Sequence, residues 1–264
     1  MNRRRFLTSS IALAGAGTFA GAAGARDAGE GDAPAREFYE LRRYRLRITM
    51  RQRFSDHLRD EALPAWNRAG ISPVGVFTVA FGPDNPTFYV LLPHASLSSV
   101  HEVEQRLQAD AAYQTAFQRL PSGDPGFVRM DSQLMVAFAG MPRLEKPQGA
   151  MAGASRIFEL RTYESHSVAA HLKKVEMFDR GEIDIFRRTG LTPVFFGSNL
   201  VGPNLPSLTY LLVFENMAAR ERNWAQFVNH PDWKTLAATP GYTDAEIVST
   251  THSFILRPTA YSQI

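Results

Sequence analysis

A chain of 264 residues, 44% hydrophobic and 21% charged, holds enough apolar material for one large domain or two ordinary ones, with the composition of a soluble globular protein. Its 29 basic residues outnumber its 26 acidic ones only through Arg3, Arg4 and Arg5, so the remainder is balanced and carries no footprint for nucleic acid. There is no cysteine, which excludes disulfides, thiolate nucleophiles, thiolate zinc sites and a lipoprotein anchor.

The first 25 residues read as a signal peptide. Arg3, Arg4, Phe6 and Leu7 stand in a stretch that resembles the bacterial twin-arginine signal, Arg-Arg-x-Phe-Leu. A weakly apolar run over 11–20 and the small residues Ala23-Gly24-Ala25 complete it. The resemblance implies passage through the twin-arginine translocase, cleavage, and a periplasmic or secreted protein. The apolar run is too short and glycine-rich to leave a stable membrane span. Residues 26–36, small, polar and Pro/Gly-containing, read as a linker.

Residues 38–46 alternate as a strand. Thr49 and Gln52 have capping-box spacing. Phe54, Leu58, Ala62 and Trp66 then mark a helix that stops at Gly70 and that Pro64 should kink near Arg59–Asp60. Residues 72–81 and 87–92, flanking Gly82-Pro83-Asp84-Asn85-Pro86, predict a hairpin. One helix is expected over 97–120 with Val100, Val103 and Leu107 inward, then a strand over 127–138. Residues 139–156 carry few packing signals and read as a second linker.

After it the order returns. Ile157-Phe158-Glu159-Leu160-Arg161-Thr162-Tyr163 repeats Phe38-Tyr39-Glu40-Leu41-Arg42-Arg43-Tyr44. A helix over 168–189 stops at Gly190, and Gly202-Pro203-Asn204-Leu205-Pro206 stands 120 residues after the first such segment. The offset is 119 at the opening strand and 120 thereafter, one residue inserted in a helix or its cap. Each half, 37–138 and 157–257, therefore reads β-α-β-β-α-β, followed by a tail over 258–264. The fold class is α+β: tandem duplicated ferredoxin-like units whose antiparallel sheets pair face to face, either as a pseudo-dimer within the chain or across a homodimer.

Alternation places Tyr39 and Leu41, and Phe158 and Leu160, on the face suited to helices. It leaves Glu40, Arg42 and Tyr44, with Glu159, Arg161 and Tyr163, on the helix-free face. There they form either a satisfied polar network or a site where Arg and Tyr receive a carboxylate or enolate oxygen. His252, on the last strand, is placed beside Arg161. His57 is an acid/base or haem-ligand candidate, or an exposed helix histidine. No His, Asp or Glu spacing fits a metal site, and Gly-x-Gly-x-x-Gly, P-loop and Gly-x-Ser-x-Gly signatures are absent. Asp179, Glu182 and Asp184 read as a solvated helix face, and Trp224, Phe227 and Trp233 as core.

The Glu-Leu-Arg-x-Tyr strand, the Gly-Pro-x-x-Pro hairpin and the stretch from Trp224 to Lys234 resemble the NIPSNAP family of the dimeric α/β-barrel superfamily. In the first half Asp110-Ala111-Ala112-Tyr113 stands where His230-Pro231-Asp232-Trp233 stands later, so that half is the diverged copy. The resemblance implies the fold, the pairing mode and a barrel pocket. It supplies no catalytic residues, because relatives in the superfamily span cofactor-free monooxygenases, lactone isomerases and haem enzymes. The expected function is binding of a small anionic or enolate-like organic molecule, with cofactor-free oxygenase or isomerase chemistry and no cofactor. The alternatives are a non-catalytic structural or protein-interaction module, and a haem-binding protein.

Overall fold

The computed structural model describes residues 35–81, 85–118 and 126–264. The expected signal peptide and the central residues of the first hairpin lie outside them. The first half contains β1 (Phe38–Leu46), α1 (Arg51–His57), α2 (Leu63–Arg68), β2 (Gly75–Phe81), β3 (Thr87–His94), α3 (Leu97–Ala109), α4 (Ala111–Gln118) and β4 (Phe127–Ala137). The second contains β5 (Ile157–Glu164), α5 (Val168–Met177), α6 (Ile183–Arg188), β6 (Thr192–Val201), β7 (Ser207–Phe214), α7 (Met217–Asn229), α8 (Pro231–Ala237), α9 (Asp244–Ile247) and β8 (Thr250–Pro258).

Eight antiparallel strands close into a barrel in the order β1-β3-β2-β8-β5-β7-β6-β4. Within each half the order is the same, β4-β1-β3-β2 and β8-β5-β7-β6. The halves join at two seams, β2 to β8 with Thr78 opposite Arg257, and β4 to β6 with Val136 opposite Ser198. Both sheets thus lose their edges inside a single chain. At the second seam a Cβ on Gly197 would lie 2.7 Å from Cβ of Met135, so the close approach there depends on glycine.

Closure covers the inner face of the strands, and the helices cover the outer face of the central ones, which sorts the core into layers. One layer lies inside the barrel: Tyr39, Leu41, Phe77, Leu91, Met135, Phe158, Leu160, Phe195, Leu211 and Leu256. Tyr39 meets Phe195 at 4.9 Å between ring centroids and Phe77 meets Phe158 at 4.8 Å, so aromatic rings from both halves fill its floor. The C-terminal Ile264 and the partly buried Leu144 and Met151 pack against that floor. The stretches that read as linker and tail are therefore held in place: Glu145 N–H donates to the Val194 carbonyl and Gln263 N–H to that of Val74. Between strands and helices lie two further layers. Tyr44, Phe54, Leu58, Trp66, Phe88 and Val90 belong to the first half, and Phe178, Phe186, Phe196, Tyr210 and Phe227 to the second.

The helices depart from expectation in three places. Thr49 forms no capping box, because Ile48–Met50 is a 3₁₀ turn with no side-chain cap. The expected kink is a π-helical turn, Leu58–Ala62, and the same turn recurs at Phe178–Glu182. Asp184 stands in the second copy where Pro64 stands in the first, so the turn belongs to the duplicated helix rather than to proline alone. The single helix expected over 97–120 is broken at Asp110, whose extended backbone ends α3 and whose carboxylate accepts from Tyr113 N–H. His230 divides α7 from α8 in the same way, with Pro231 at the first helical position. The stops at Gly70 (φ 94°) and Gly190 (φ 79°) fall where expected.

Candidate functional site

The row Glu40, Arg42 and Tyr44 lies beneath the helices, not on the helix-free face. Arg42 donates to both carboxylate oxygens of Glu40 (2.8 and 2.9 Å), bonds Glu104 on α3 and sits 5.8 Å from the Trp66 ring on α2. Ser132 on β4 donates to Glu40 at 2.7 Å. The second row is bound more tightly. Glu159 accepts from Arg161, Ser253, Trp224 and twice from Arg220, all within 2.7–2.8 Å. Arg161 stacks 4.7 Å over Trp224 and donates to the Tyr163 hydroxyl, which also accepts from Tyr210. Burial raises the pKa of each carboxyl, but the hydrogen bonds and charges around it more than offset this, holding Glu40 and Glu159 down to about 2. Both rows are buried ion-pair networks, and in the second Arg161 Nε is left without a hydrogen-bond partner among the described residues. The apolar row assigned to helices fills the barrel instead.

His57 packs between the rings of Phe54 and Tyr113, at 6.4 and 6.1 Å, and burial lowers its pKa. It lies half-buried in the helix layer, away from the barrel cavity. Glu182 is not on a solvated face either: its side chain is 2% exposed and bonds the buried Lys174 at 2.9 Å. Asp179 and Asp184 are exposed, as expected, and Asp179 accepts from Gly140 N–H. Arg3, Arg4, Phe6 and Leu7 lie outside the described residues.

His252 is the predicted site residue that reaches a cavity. It stands opposite Thr162 rather than beside Arg161, on the inner face of β8. The cavity, of about 260 Å³, opens at the end of the barrel where β1 and β5 finish. Its apolar floor is Leu41, Tyr89, Leu160 and Phe254, and its wall carries Arg43, Asp131, Gln133, Thr162 and His252, with Asn204 of the second hairpin at the rim. Along β1 the inward row runs Tyr39, Leu41, Arg43; along β5 it runs Phe158, Leu160, Thr162, Glu164. The change from apolar to polar in one row marks the mouth, a signal present in the sequence that reading the wrong face conceals.

Arg43 Nε and Nη2 donate to Asp131 Oδ2 at 3.1 and 2.7 Å, and Arg45 donates to the same oxygen at 3.1 Å. The hydrogen bond from Arg43 holds the Asp131 carboxyl below its usual range. Burial lowers the Arg43 pKa, and bonds to Asp131 and Tyr89 outweigh it. Gln133 donates to Asn199 (2.6 Å) and Thr209 (2.8 Å), and Thr162 and Thr209 share a bond of 2.9 Å. His252 Nε2 lies 2.6 Å from Glu164 Oε1. Among the described residues no group of three or more His, Asp or Glu could hold a metal, and no helix is long and apolar enough to cross a membrane.

These features define a single-chain, closed α+β barrel with a half-filled interior and one polar mouth. The NIPSNAP family model matches residues 39–142 and 158–263, and the chain belongs to that family in two copies. A "putative monooxygenase" from Lactobacillus acidophilus shares the fold at a TM-score of 0.55 and 11% identity, covering 86% of this chain and 97% of its own. Another protein of that description, from Fusobacterium nucleatum, gives 0.57 at 8% identity, covering 85% and 93%. An uncharacterized NIPSNAP-like domain protein from Burkholderia xenovorans, 21% identical, covers 42% of this chain and 90% of its own at 0.38. No curated protein matches the chain.

Proposed function

We propose that the protein binds a small anionic or enolate-like organic molecule in the mouth of the barrel, and that this pocket hosts cofactor-free isomerase or oxygenase chemistry. The observation that carries the reading is the cavity itself: an apolar floor that takes a hydrophobic body beneath a wall bearing the Arg43 fork. Asp131 Oδ2 accepts from Arg43 Nε and Nη2, which fixes the guanidinium at the cavity wall. The likeness to proteins described as monooxygenases agrees with a small-molecule pocket.

The common strand order supports reading each half as a ferredoxin-like unit derived by duplication. Export by the twin-arginine route to the periplasm remains part of the proposal and rests on Arg3, Arg4, Phe6 and Leu7. The filled floor favours a second reading, a barrel that serves as scaffold for partners, since four aromatic rings occupy its lower half. A haem site has no comparable support, because the histidine considered for it, His57, lies in the helix layer.

Native mass spectrometry of the folded protein, with thermal melts against small aromatic carboxylates, tests the proposal. The expected result is a ligand-dependent rise in melting temperature that Arg43→Ala removes. A Leu160→Trp variant, which fills the cavity, should lose the same response. No response in the wild type leaves the scaffold reading.

A further inference from the structure

We infer that His252 is a proton-abstracting base, and that the substrate class is a carbonyl compound with an acidic neighbouring C–H and a carboxylate or similar anion. The inference rests on reading the cavity as a small-molecule site. Its own support is the dyad at the wall: His252 Nε2 lies 2.6 Å from Glu164 Oε1, and both side chains are partly exposed at the mouth. An ionised carboxylate only accepts hydrogen bonds, so Nε2 carries the hydrogen and Nδ1 the lone pair. Nδ1 has no partner among the described residues. Glu164 thus acts as a positioning residue that fixes the basic tautomer and stabilises the imidazolium that forms.

The step needs no co-reactant. Nδ1 takes the proton from the carbon beside the carbonyl, and the C–H electron pair becomes the carbon–carbon double bond of an enolate. The carbonyl π pair moves onto oxygen, where the cationic wall that includes Arg43 favours the charge. Return of the proton to carbon gives hydrogen exchange, and its return to oxygen gives the enol. The floor of Leu41, Tyr89, Leu160 and Phe254 favours an aryl or branched alkyl group on the substrate.

Phenylpyruvate, which carries a carboxylate, an acidic CH₂ and a phenyl ring, is the probe. Its CH₂ signal is followed by proton NMR in D₂O, and its binding by thermal melts of the full-length protein. The wild type should raise the exchange rate well above buffer. His252→Ala should lose about a hundredfold or more of that increment, the span expected of a general base, while keeping the melting-temperature rise. Added imidazole should restore exchange to His252→Ala and to no other variant. Glu164→Gln should lower kcat and leave KM within about twofold, the mark of a group that orients the base without holding substrate. Binding without accelerated exchange, or equal exchange in His252→Ala, overturns the inference and leaves the pocket standing. If phenylpyruvate neither stabilises the wild type nor exchanges faster in its presence, the inference and the ligand class fall together.

Discussion

Lys174 and Glu182 form an ion pair at 2.9 Å with side chains 1% and 2% exposed, and they occupy the places that Phe54 and Ala62 hold in the first half. The pair lies among the rings of Tyr163, Phe178 and Trp233, each 4.8–5.6 Å from Nζ. Duplication has therefore put a charge pair in one copy where the other keeps an apolar contact.

Breaking that pair should be severe. Lys174→Met leaves an uncompensated carboxylate and is expected to lower stability by about 3–5 kcal/mol. Lys174→Phe with Glu182→Ala, which copies the first half, should be less destabilised than either single variant. Urea unfolding of the wild type, Lys174→Met, Lys174→Phe, Glu182→Ala and the double variant checks this, and a double variant worse than both of its singles would refute it.

The two Glu–Arg rows should respond unequally. Glu159 keeps Arg220 when Arg161 is removed, whereas Glu40 loses the one cation directly bonded to it among the described residues when Arg42 is removed; His94 Nε2 is 3.8 Å away, beyond hydrogen-bond range. Arg42→Ala should therefore cost about 3 kcal/mol or more and Arg161→Ala nearer 2. Calorimetric melts decide the order, and neither change should alter ligand response at the mouth.

Acid should unfold the protein through the same rows. Glu40 and Glu159 titrate at about 2 when folded, against a usual 4.5, so between these limits the unfolded chain binds more protons. Their contribution is complete above pH 4.5 and is lost as pH falls towards 2, on the order of 3 kcal/mol for each. Unfolding free energies at pH 7, 4 and 3 should decline accordingly. Glu159→Gln should start lower and decline less.

Two glycines in one helical stretch should give opposite signs. Gly181 lies inside the second π-helical turn, where an added Cβ meets only Leu236 at 3.6 Å, so Gly181→Ala should stabilise by about 0.5–1 kcal/mol. Gly190 has φ 79° and an added Cβ would lie 3.0 Å from Asn223 Nδ2, which donates to its carbonyl. Gly190→Ala should destabilise by about 1 kcal/mol or more. Paired denaturation curves suffice.

The repeat was legible because it rests on several independent kinds of signal: a strand, a helix-stopping glycine and a hairpin in one register. Which residues share a strand face was legible too, since Glu40 with Arg42 and Tyr39 with Leu41 separate by period two. Which face meets the helices was not. In an open sheet the apolar row is the covered one, but a closed barrel covers both. The charged row can then lie under helices if Glu104, Arg220 and Trp224 supply its partners, and those residues are 60 positions or more away in sequence. His252 was expected to point into the barrel and does, but its neighbour there is Thr162, because Arg161 faces the helices. The Lys174–Glu182 pair escaped because acidic residues on a helix ordinarily mean solvent.

The cavity wall makes plain what joining the copies permits. Arg43 pairs in register with Asp131 on β4, and Thr162 pairs in the same register with His252 on β8. β1 and β5 stand four strands apart around the eight-stranded ring, so these corresponding pairs lie on opposing sides of the lumen. A barrel made of two identical subunits would have to repeat itself across its two-fold axis, Arg–Asp against Arg–Asp or Thr–His against Thr–His. One gene encoding both halves is free of that constraint: a guanidinium on one side can confront an imidazole on the other, and the pocket gains a left and a right.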